Sequence, residues 1–113
     1  MHEMSLAERV LQIIDDAACV QGFTRVRKVW LEIGQLACVE QDSMRFCFDE
    51  VARDGVADGA HLEIIDTAGR GRCVKCAFEM PIVVLHEACP NCGSHEILVT
   101  AGDAMRVMEL EVE

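Results

Sequence analysis

The stretch Cys73-Val74-Lys75-Cys76, with its counterpart Cys89-Pro90-Asn91-Cys92, decides the fold of one part of this chain. Each stretch separates two thiols by two residues, and twelve residues lie between the stretches. This spacing lets four thiolates reach one ion from two tight turns, and four sulfurs in a tetrahedron suit Zn²⁺. We therefore predict a zinc ribbon whose structural metal ligands are Cys73, Cys76, Cys89 and Cys92.

Other uses of these cysteines stay open. The same thiolates could hold iron, and Cys89-Pro90-Asn91-Cys92 also suits a redox dithiol, although a second paired stretch argues against simple redox use. A closed four-thiolate site has no open coordination position, so we assign it no catalysis. His86 and His95 are either ordinary exposed imidazoles or ligands that exchange with a thiolate when the pH changes.

The residues before Cys73 predict two amphipathic helices. Ser5-Leu6-Ala7-Glu8 fits a capping box, and apolar residues then recur at helical spacing, so the first helix is expected over residues 5–20. The second helix is expected to begin at Asp42 or Ser43 and to end before Gly55. Cys19 and Cys47 fall in these helices and are interpreted as small buried apolar residues.

Short apolar or alternating segments predict the strands. They are expected over residues 25–33, 62–66, 80–85, 97–99 and 105–113. In the last strand Met108, Leu110 and Val112 are expected to face a core. The strand–helix–strand order before residue 67 is typical of a βαβ unit, and the last strand is expected to return to the same sheet.

These elements define an α+β (α/β) fold: a small mixed sheet with two helices plus an inserted four-cysteine zinc-ribbon domain. Residues 1–67 and 105–113 are expected to form the first domain, and residues 68–104 the ribbon. Gly69-Arg70-Gly71-Arg72 is interpreted as an exposed connector between them.

The charge balance narrows the function classes. Twenty Asp and Glu against ten Lys and Arg give a net charge of −10, which argues against nucleic acids and membranes as direct partners. No apolar run approaches a membrane span, and the first residues lack a secretory signal, so a cytoplasmic protein is expected. Seven cysteines in that compartment indicate metal or thiol chemistry.

The first residues, Met1-His2-Glu3, form a second candidate metal site. A free α-amine on Met1, the His2 amide nitrogen and the His2 imidazole can close adjoining chelate rings around Ni(II) or Cu(II), and Glu3 can complete the shell. In the alternative interpretation His2 is a terminal residue without a ligand role, and Glu3 is an anion favoured at a helix start.

Together, four features resemble one known family. They are the initiating Met1-His2-Glu3, the segment Val29-Trp30-Leu31-Glu32-Ile33-Gly34, Cys38-Val39-Glu40, and the ribbon cysteines before a terminal strand. Over essentially its whole length the chain resembles HypA/HybF, the nickel metallochaperone family of hydrogenase maturation.

The resemblance implies a nickel-binding α/β domain joined to a zinc domain. It implies Ni(II) as transported cargo held by Met1 and His2, with Glu3 a further candidate ligand, and structural Zn(II) on the four ribbon cysteines. The implied function is nickel insertion into the large subunit of nickel–iron hydrogenase together with a HypB-type GTPase, without enzymatic activity and as a monomer or weak homodimer.

Two positions qualify the resemblance. Some relatives carry His directly after a zinc-ligand Cys, whereas this chain has Ala77 and Gly93 there. Glu40 occupies the loop where some relatives present an acidic neighbour of nickel. Two other function classes remain open: a zinc-ribbon protein-interaction module without nickel delivery, and a thiol redox protein.

Overall fold

The computed structural model describes residues His2–Glu113, and its architecture confirms the α+β fold class. The elements are α1 (His2–Gln21), β1 (Val26–Gly34), a 3₁₀ turn (Gln35–Ala37), α2 (Gln41–Ala52), β2 (His61–Thr67), β3 (Arg70–Cys73), β4 (Glu79–Pro81), β5 (Ile97–Ala101) and β6 (Met105–Val112). Neither helix of the described chain has the length and apolar character required to cross a membrane.

The strands form two three-stranded sheets, in the orders β2-β1-β6 and β4-β3-β5. The strand–helix–strand segment therefore brings β1 and β2 side by side, as expected. β6 also returns to this sheet, antiparallel to β1, because Gly34 N–H donates to Ala104 O at 2.9 Å and Glu113 N–H donates to Arg25 O at 3.0 Å. The second sheet thus lies between two strands of the first in the chain order.

The chain divides into two compact units. The first contains the residues up to Leu31, Val39–Ile65 and Arg106–Glu113; the second contains Glu32–Cys38 and Asp66–Met105. The second unit therefore includes Glu32–Cys38, a segment that the sequence analysis grouped with the first domain. The assignment of nickel binding to the first domain and of zinc binding to the ribbon domain stays a prediction.

The first unit is built on two helices whose apolar stripes pack together. Buried residues recur at helical spacing on each helix, because a surface helix buries one face and leaves the other in water. They are Ala7, Val10, Leu11 and Ile14 on α1, and Met44, Cys47, Phe48 and Ala52 on α2.

Both predicted helix starts were wrong. α1 begins at His2, so Ser5 lies within the helix and is not its cap. The half-buried Met4 precedes the buried Ala7 by three positions, so the apolar stripe continues upstream of Ser5 and tertiary packing outweighs the local capping signal. α2 is capped by Glu40, whose carboxylate accepts from Asp42 N–H at 3.2 Å and from Ser43 N–H at 2.7 Å.

The predicted inward face of β6 was also partly wrong. Leu110 is half-buried, but Met108 is 50% exposed and Val112 is 41% exposed. Met105 and Val107 are half-buried instead, so the alternation shifts by one position before Leu110. A one-residue shift moves each following side chain to the opposite face of a strand.

The second unit contradicts two further predictions. Three of the four expected connector residues, Arg70 to Arg72, belong to β3, the central strand of the β4-β3-β5 sheet. Gly71 is buried there, and a β-carbon at this position would overlap Ile82. The strand predicted over residues 80–85 stops at Pro81, and Val83, Val84 and Leu85 are exposed.

β1 ends at Gly34, where its backbone passes close to that of Gly102. A β-carbon at Gly34 would overlap the backbone of Gly102, whose own φ of +84° lies in the left-handed region that favours glycine. Leu36 N–H then donates to Gly102 O at 2.8 Å. This close approach of two backbones belongs to the second unit and uses residues far apart in sequence.

Candidate metal sites

The two cysteine pairs adopt the same turn. Ala77 N–H donates to Cys73 O at 2.9 Å, and Gly93 N–H donates to Cys89 O at 2.8 Å. Each first cysteine also donates its own N–H five residues onward, from Cys73 to Phe78 O at 2.9 Å and from Cys89 to Ser94 O at 2.7 Å. The two stretches are therefore structurally equivalent knuckles.

The turn requires a left-handed residue directly after the second cysteine of each pair. Ala77 has φ 63° and Gly93 has φ 78°. Glycine adopts this conformation without cost, whereas alanine pays about 1 kcal/mol or more. The first knuckle therefore carries backbone strain that the second avoids.

The knuckles bring four sulfurs together as the sequence predicted. We call Cys73, Cys76, Cys89 and Cys92 the four-sulfur cluster, and their Sγ atoms all lie within 4.8 Å of one another. Cys73 and Cys92 sulfurs are 3.5 Å apart, and those of Cys76 and Cys89 are 3.7 Å apart.

These separations fit a single tetrahedral ion. Four sulfurs at the usual zinc–sulfur length of about 2.3 Å stand roughly 3.8 Å apart, whereas a disulfide requires about 2.05 Å. All seven cysteines are free thiols in the structure. The donor set and these two separations suit zinc.

Two of the four cluster cysteines are buried in the core of the second unit. Cys73 and Cys89 are 1% and 2% exposed and belong to the core of the second unit with Leu36, Met80 and Ile82. Cys76 and Cys92 lie toward solvent. So small a core is a weak source of folding free energy, and a bound metal would add substantially to it.

The environment of the exposed thiols shifts their pKa values in opposite directions. The Asn91 side chain donates to Cys76 Sγ at 3.4 Å, and this bond, with a backbone N–H at Phe78, lowers the pKa of Cys76 to about 6. At Cys92 the Ser94 backbone lowers the pKa, but the neighbouring Cys73 sulfur and burial outweigh it and raise the pKa to about 12. Adjacent sulfurs oppose simultaneous ionisation unless a cation lies among them.

The remaining cysteines and the ribbon histidines lie outside the four-sulfur cluster. Cys47 is buried as predicted, but the same prediction for Cys19 was wrong, because Cys19 is exposed. Cys38 is also exposed. His95 Nδ1 lies 3.2 Å from His86 O, a contact between the two histidines and not with a sulfur. Among the residues from His2 onward, this cluster is the one group of His, Cys, Asp or Glu whose side-chain atoms converge closely enough for a metal.

The second candidate site lies at the start of α1. His2 Nδ1 is 3.4 Å from Glu3 Oε2, and we call these two residues the amino-terminal pair. Glu3 Oε2 also accepts from Glu40 N–H at 3.3 Å. Met1, the third expected nickel ligand, lies outside the described residues.

Helix geometry makes this end suitable for a metal that takes amide nitrogen. The first four N–H groups of an α-helix have no intrahelical acceptor, so the amides of His2 and Glu3 are not held in the helix ladder. The macrodipole favours anionic groups there, which suits the Glu3 carboxylate. Hydrogen bonds with the Glu40 backbone N–H and the His2 side chain lower the pKa of Glu3 and favour its ionised form.

Two contacts of the sites were not predicted from the sequence. Asn91 lies between the two ligands of its knuckle, and its bond to Cys76 depends on how the turns face each other. Glu40 was noted only as an acidic residue near the site, but its backbone positions Glu3 while its carboxylate caps α2. An acidic residue directly before an apolar helical pattern was the available signal for the cap.

The fold and the four-sulfur cluster define a small two-unit α+β metal-binding protein. A family model described as hydrogenase/urease nickel incorporation, metallochaperone, hypA matches residues 1–112. Similar proteins include the hydrogenase maturation factors HypA of Azotobacter vinelandii, 52% identical, and of Albidiferax ferrireducens, 55% identical, each over all of both chains. The chain therefore belongs to the HypA family of hydrogenase maturation factors.

Two solved structures share the fold. The solution structure of the nickel metallochaperone HypA from Helicobacter pylori aligns with TM-score 0.75 at 21% identity, over 97% of this chain and 96% of that one. A second solution structure of a HypA protein aligns with TM-score 0.75 at 23% identity, over 100% of this chain and 97% of that one. The arrangement of elements is thus common to proteins of very different sequence.

Proposed function

We propose that this chain binds Ni(II) through Met1, His2 and Glu3 and delivers it to the large subunit of nickel–iron hydrogenase, while the four-sulfur cluster holds structural Zn(II). The match of the nickel-incorporation family model over residues 1–112 carries this proposal. The contact between His2 Nδ1 and Glu3 Oε2 supports it, because two of the proposed nickel ligands lie close together.

The chemistry of the two sites suits different duties. Four thiolates, two of them in a buried core, enclose an ion and leave no position for a further ligand. His2 is exposed, and an exposed site made of nitrogen and carboxylate ligands gives its ion to another protein more readily. We therefore assign transport to the amino-terminal pair and stabilisation of the ribbon to the cluster.

Transfer requires partners. The chain supplies no phosphate-binding loop with the Lys-Ser/Thr ending of a nucleotide hydrolase, so we propose that a HypB-type GTPase works with it and that the chain itself is not an enzyme. Its free thiols suit a reducing compartment, and we propose that it acts in the cytoplasm.

The test is a nickel titration of zinc-loaded protein that keeps its native amino terminus. We expect one Ni(II) per chain without loss of zinc. His2→Ala and a single glycine placed before Met1 should each lower nickel affinity by about 100-fold or more, because each removes or displaces a chelating nitrogen.

His61→Ala is the matched control, since His61 is an exposed histidine that also contacts a glutamate, Glu63 at 3.1 Å. It should leave nickel binding unchanged. Nickel binding that survives both amino-terminal changes would contradict the site. Absence of nickel binding in the unaltered protein would favour the zinc-ribbon interaction module.

A further inference from the structure

β6 is an edge strand with an open side. It lies at the end of the β2-β1-β6 sheet, and in the described chain no other strand pairs with its outer edge. Of the six residues from Val107 to Val112, four are exposed to solvent. An edge of this kind presents unpaired backbone N–H and C=O groups that can accept a further strand.

A groove lined mainly by apolar residues runs beside this edge within the first unit, and Glu109 also lines it. We call it the α1–β6 groove; its volume is about 290 Å³. Ile13 on α1 is 49% exposed and Met108 on β6 is 50% exposed, although both line the groove. Apolar side chains left half in water on two adjoining elements mark a surface that gains free energy when it is covered.

The outer edge is also negatively charged. Glu109 and Glu111 are exposed on β6, and neither forms an ion pair with any residue of the described range. Glu113 at the end of the strand is different, because it lies 3.7 Å from Arg25 and 3.8 Å from Arg27. The middle of the edge therefore offers two carboxylates that form no ion pair within the described residues.

These charges argue against a second copy of the chain as the occupant. In an antiparallel two-fold pairing centred on residue 109, 110 or 111, a glutamate of one strand stands opposite a glutamate of the other. Like charges in opposed positions destabilise a strand pair. Basic side chains in those positions would be attracted instead.

We propose that the β6 edge binds an extended segment of a partner protein in which lysine or arginine alternates with apolar residues. The segment pairs with β6 as an added strand, places its basic side chains beside Glu109 and Glu111, and places apolar side chains in the α1–β6 groove. This is recognition by strand addition, in which backbone bonds give affinity and alternate side chains give specificity.

The position of this surface is compatible with metal transfer. Ala17, which lines the groove, is fifteen residues from His2 on the same helix, a distance of roughly 20 Å at the usual rise per residue. A partner bound at β6 would leave the start of α1 accessible. The inference goes beyond the proposed nickel site and does not depend on it.

The probe is an acetylated and amidated ten-residue peptide of alternating Lys and Val, added to the full zinc-loaded chain. We expect amide shift changes in β6 in heteronuclear NMR spectra and an affinity that falls as salt is added. A peptide of alternating Glu and Val should not bind. The Lys-Val peptide with Pro at its centre keeps most of the charge but cannot complete the strand, so it should bind about tenfold more weakly.

Charge-reversal variants test whether peptide binding depends on the β6 edge or on the negative charge of the whole chain. Glu109→Lys with Glu111→Lys should weaken peptide binding about tenfold or more, whereas Glu79→Lys with Glu96→Lys makes the same charge change in the second unit and should leave the β6 shifts in place. Ile13→Asn should weaken binding severalfold. Val20→Asn is its control, since Val20 is 85% exposed on α1 and lies outside the groove.

Thermal unfolding verifies that each variant is folded before binding is compared. Equal binding to the β6 and control charge variants would overturn the proposal, because attraction would then be nonspecific. Undiminished binding of the proline peptide would overturn strand addition. A dimer in sedimentation experiments that the β6 charge reversal disrupts would assign the edge to a second copy and also overturn it.

Discussion

The four-sulfur cluster and the amino-terminal pair differ in how the chain holds them. The cluster is built from two equivalent knuckles, with two of its sulfurs in a core and 3.5 to 3.7 Å between sulfur neighbours. The amino-terminal pair lies at an exposed helix start, where Glu40 positions Glu3 through one backbone bond of 3.3 Å. A site fixed by folding retains its ion, whereas a site with few constraints can exchange it.

Loss of one cluster ligand should produce the largest effect. We expect Cys89→Ser to abolish stoichiometric zinc binding and to unfold the second unit, because metal binding to four thiolates supplies on the order of 10 kcal/mol of folding free energy. Metal analysis and NMR spectra test this: signals of residues 66–105 should lose dispersion while those of α1 and α2 persist. Cys19→Ser, a change at an exposed cysteine outside the cluster, should alter neither zinc nor spectrum.

The second largest effect should be a different response of the two metal sites to acid. Between pH 7.5 and 5.5 we expect nickel affinity to fall by about 100-fold while zinc stays bound, because protons compete for the amine and imidazole nitrogens. The carboxylates are not responsible over this range, since backbone N–H groups of Glu40 and Ser43 hold the pKa values of Glu3 and Glu40 below their usual range. Metal content after dialysis at each pH provides the measurement.

The cap of α2 should fail only in stronger acid. The pKa of Glu40 is lower in the folded chain than in the unfolded chain, so its contribution to stability is present above the unfolded value and is lost as the pH falls through the folded one. Helix loss by circular dichroism should therefore begin below about pH 4. Helix loss in parallel with nickel release at pH 5.5 would contradict this separation.

Removal of the Asn91 hydrogen bond should weaken the cluster without abolishing it. Asn91→Ala deletes the donor that most lowers the pKa of Cys76, so that pKa should rise from about 6 toward its ordinary value. Loss of an outer contact to a metal ligand typically costs 10- to 100-fold in affinity. Competition with a zinc chelator measures the change, and His95→Ala, which removes a nearby side chain that contacts no sulfur, should have little effect.

The smallest expected effect tests the equivalence of the knuckles. Gly93→Ala should lower the free energy of unfolding by about 1 kcal/mol, since a β-carbon there meets no atom within 4 Å and only the left-handed backbone is penalised. Ala77→Gly is the reverse change at the equivalent position, so it should raise the free energy of unfolding by a similar amount. Chemical unfolding of the zinc-loaded protein compares the two variants, and a loss of stability in both would contradict the shared turn.

Local patterns predicted most of the elements and the cluster but failed at their ends. The cysteine spacing was sufficient for the four-sulfur cluster because a tight turn fixes both ligands of each pair. Ser5, and Asp42 or Ser43, were predicted as caps from local chemistry, yet the packing of Met4 and the carboxylate of Glu40 decide where the helices begin. Residues 83–85 resemble a strand in composition, but they have no neighbouring strand to pair with.

The sequence by itself determined the α+β class, the four ligands of the cluster and the family, since each depends on residue type at short, fixed spacing. The tertiary structure decided that Arg70–Cys73 is a central strand, that Gly34 must pass against Gly102, and that Asn91 and Glu40 support the two sites. Those features join residues distant along the chain. Only the folded backbone brings such residues within hydrogen-bonding or van der Waals distance.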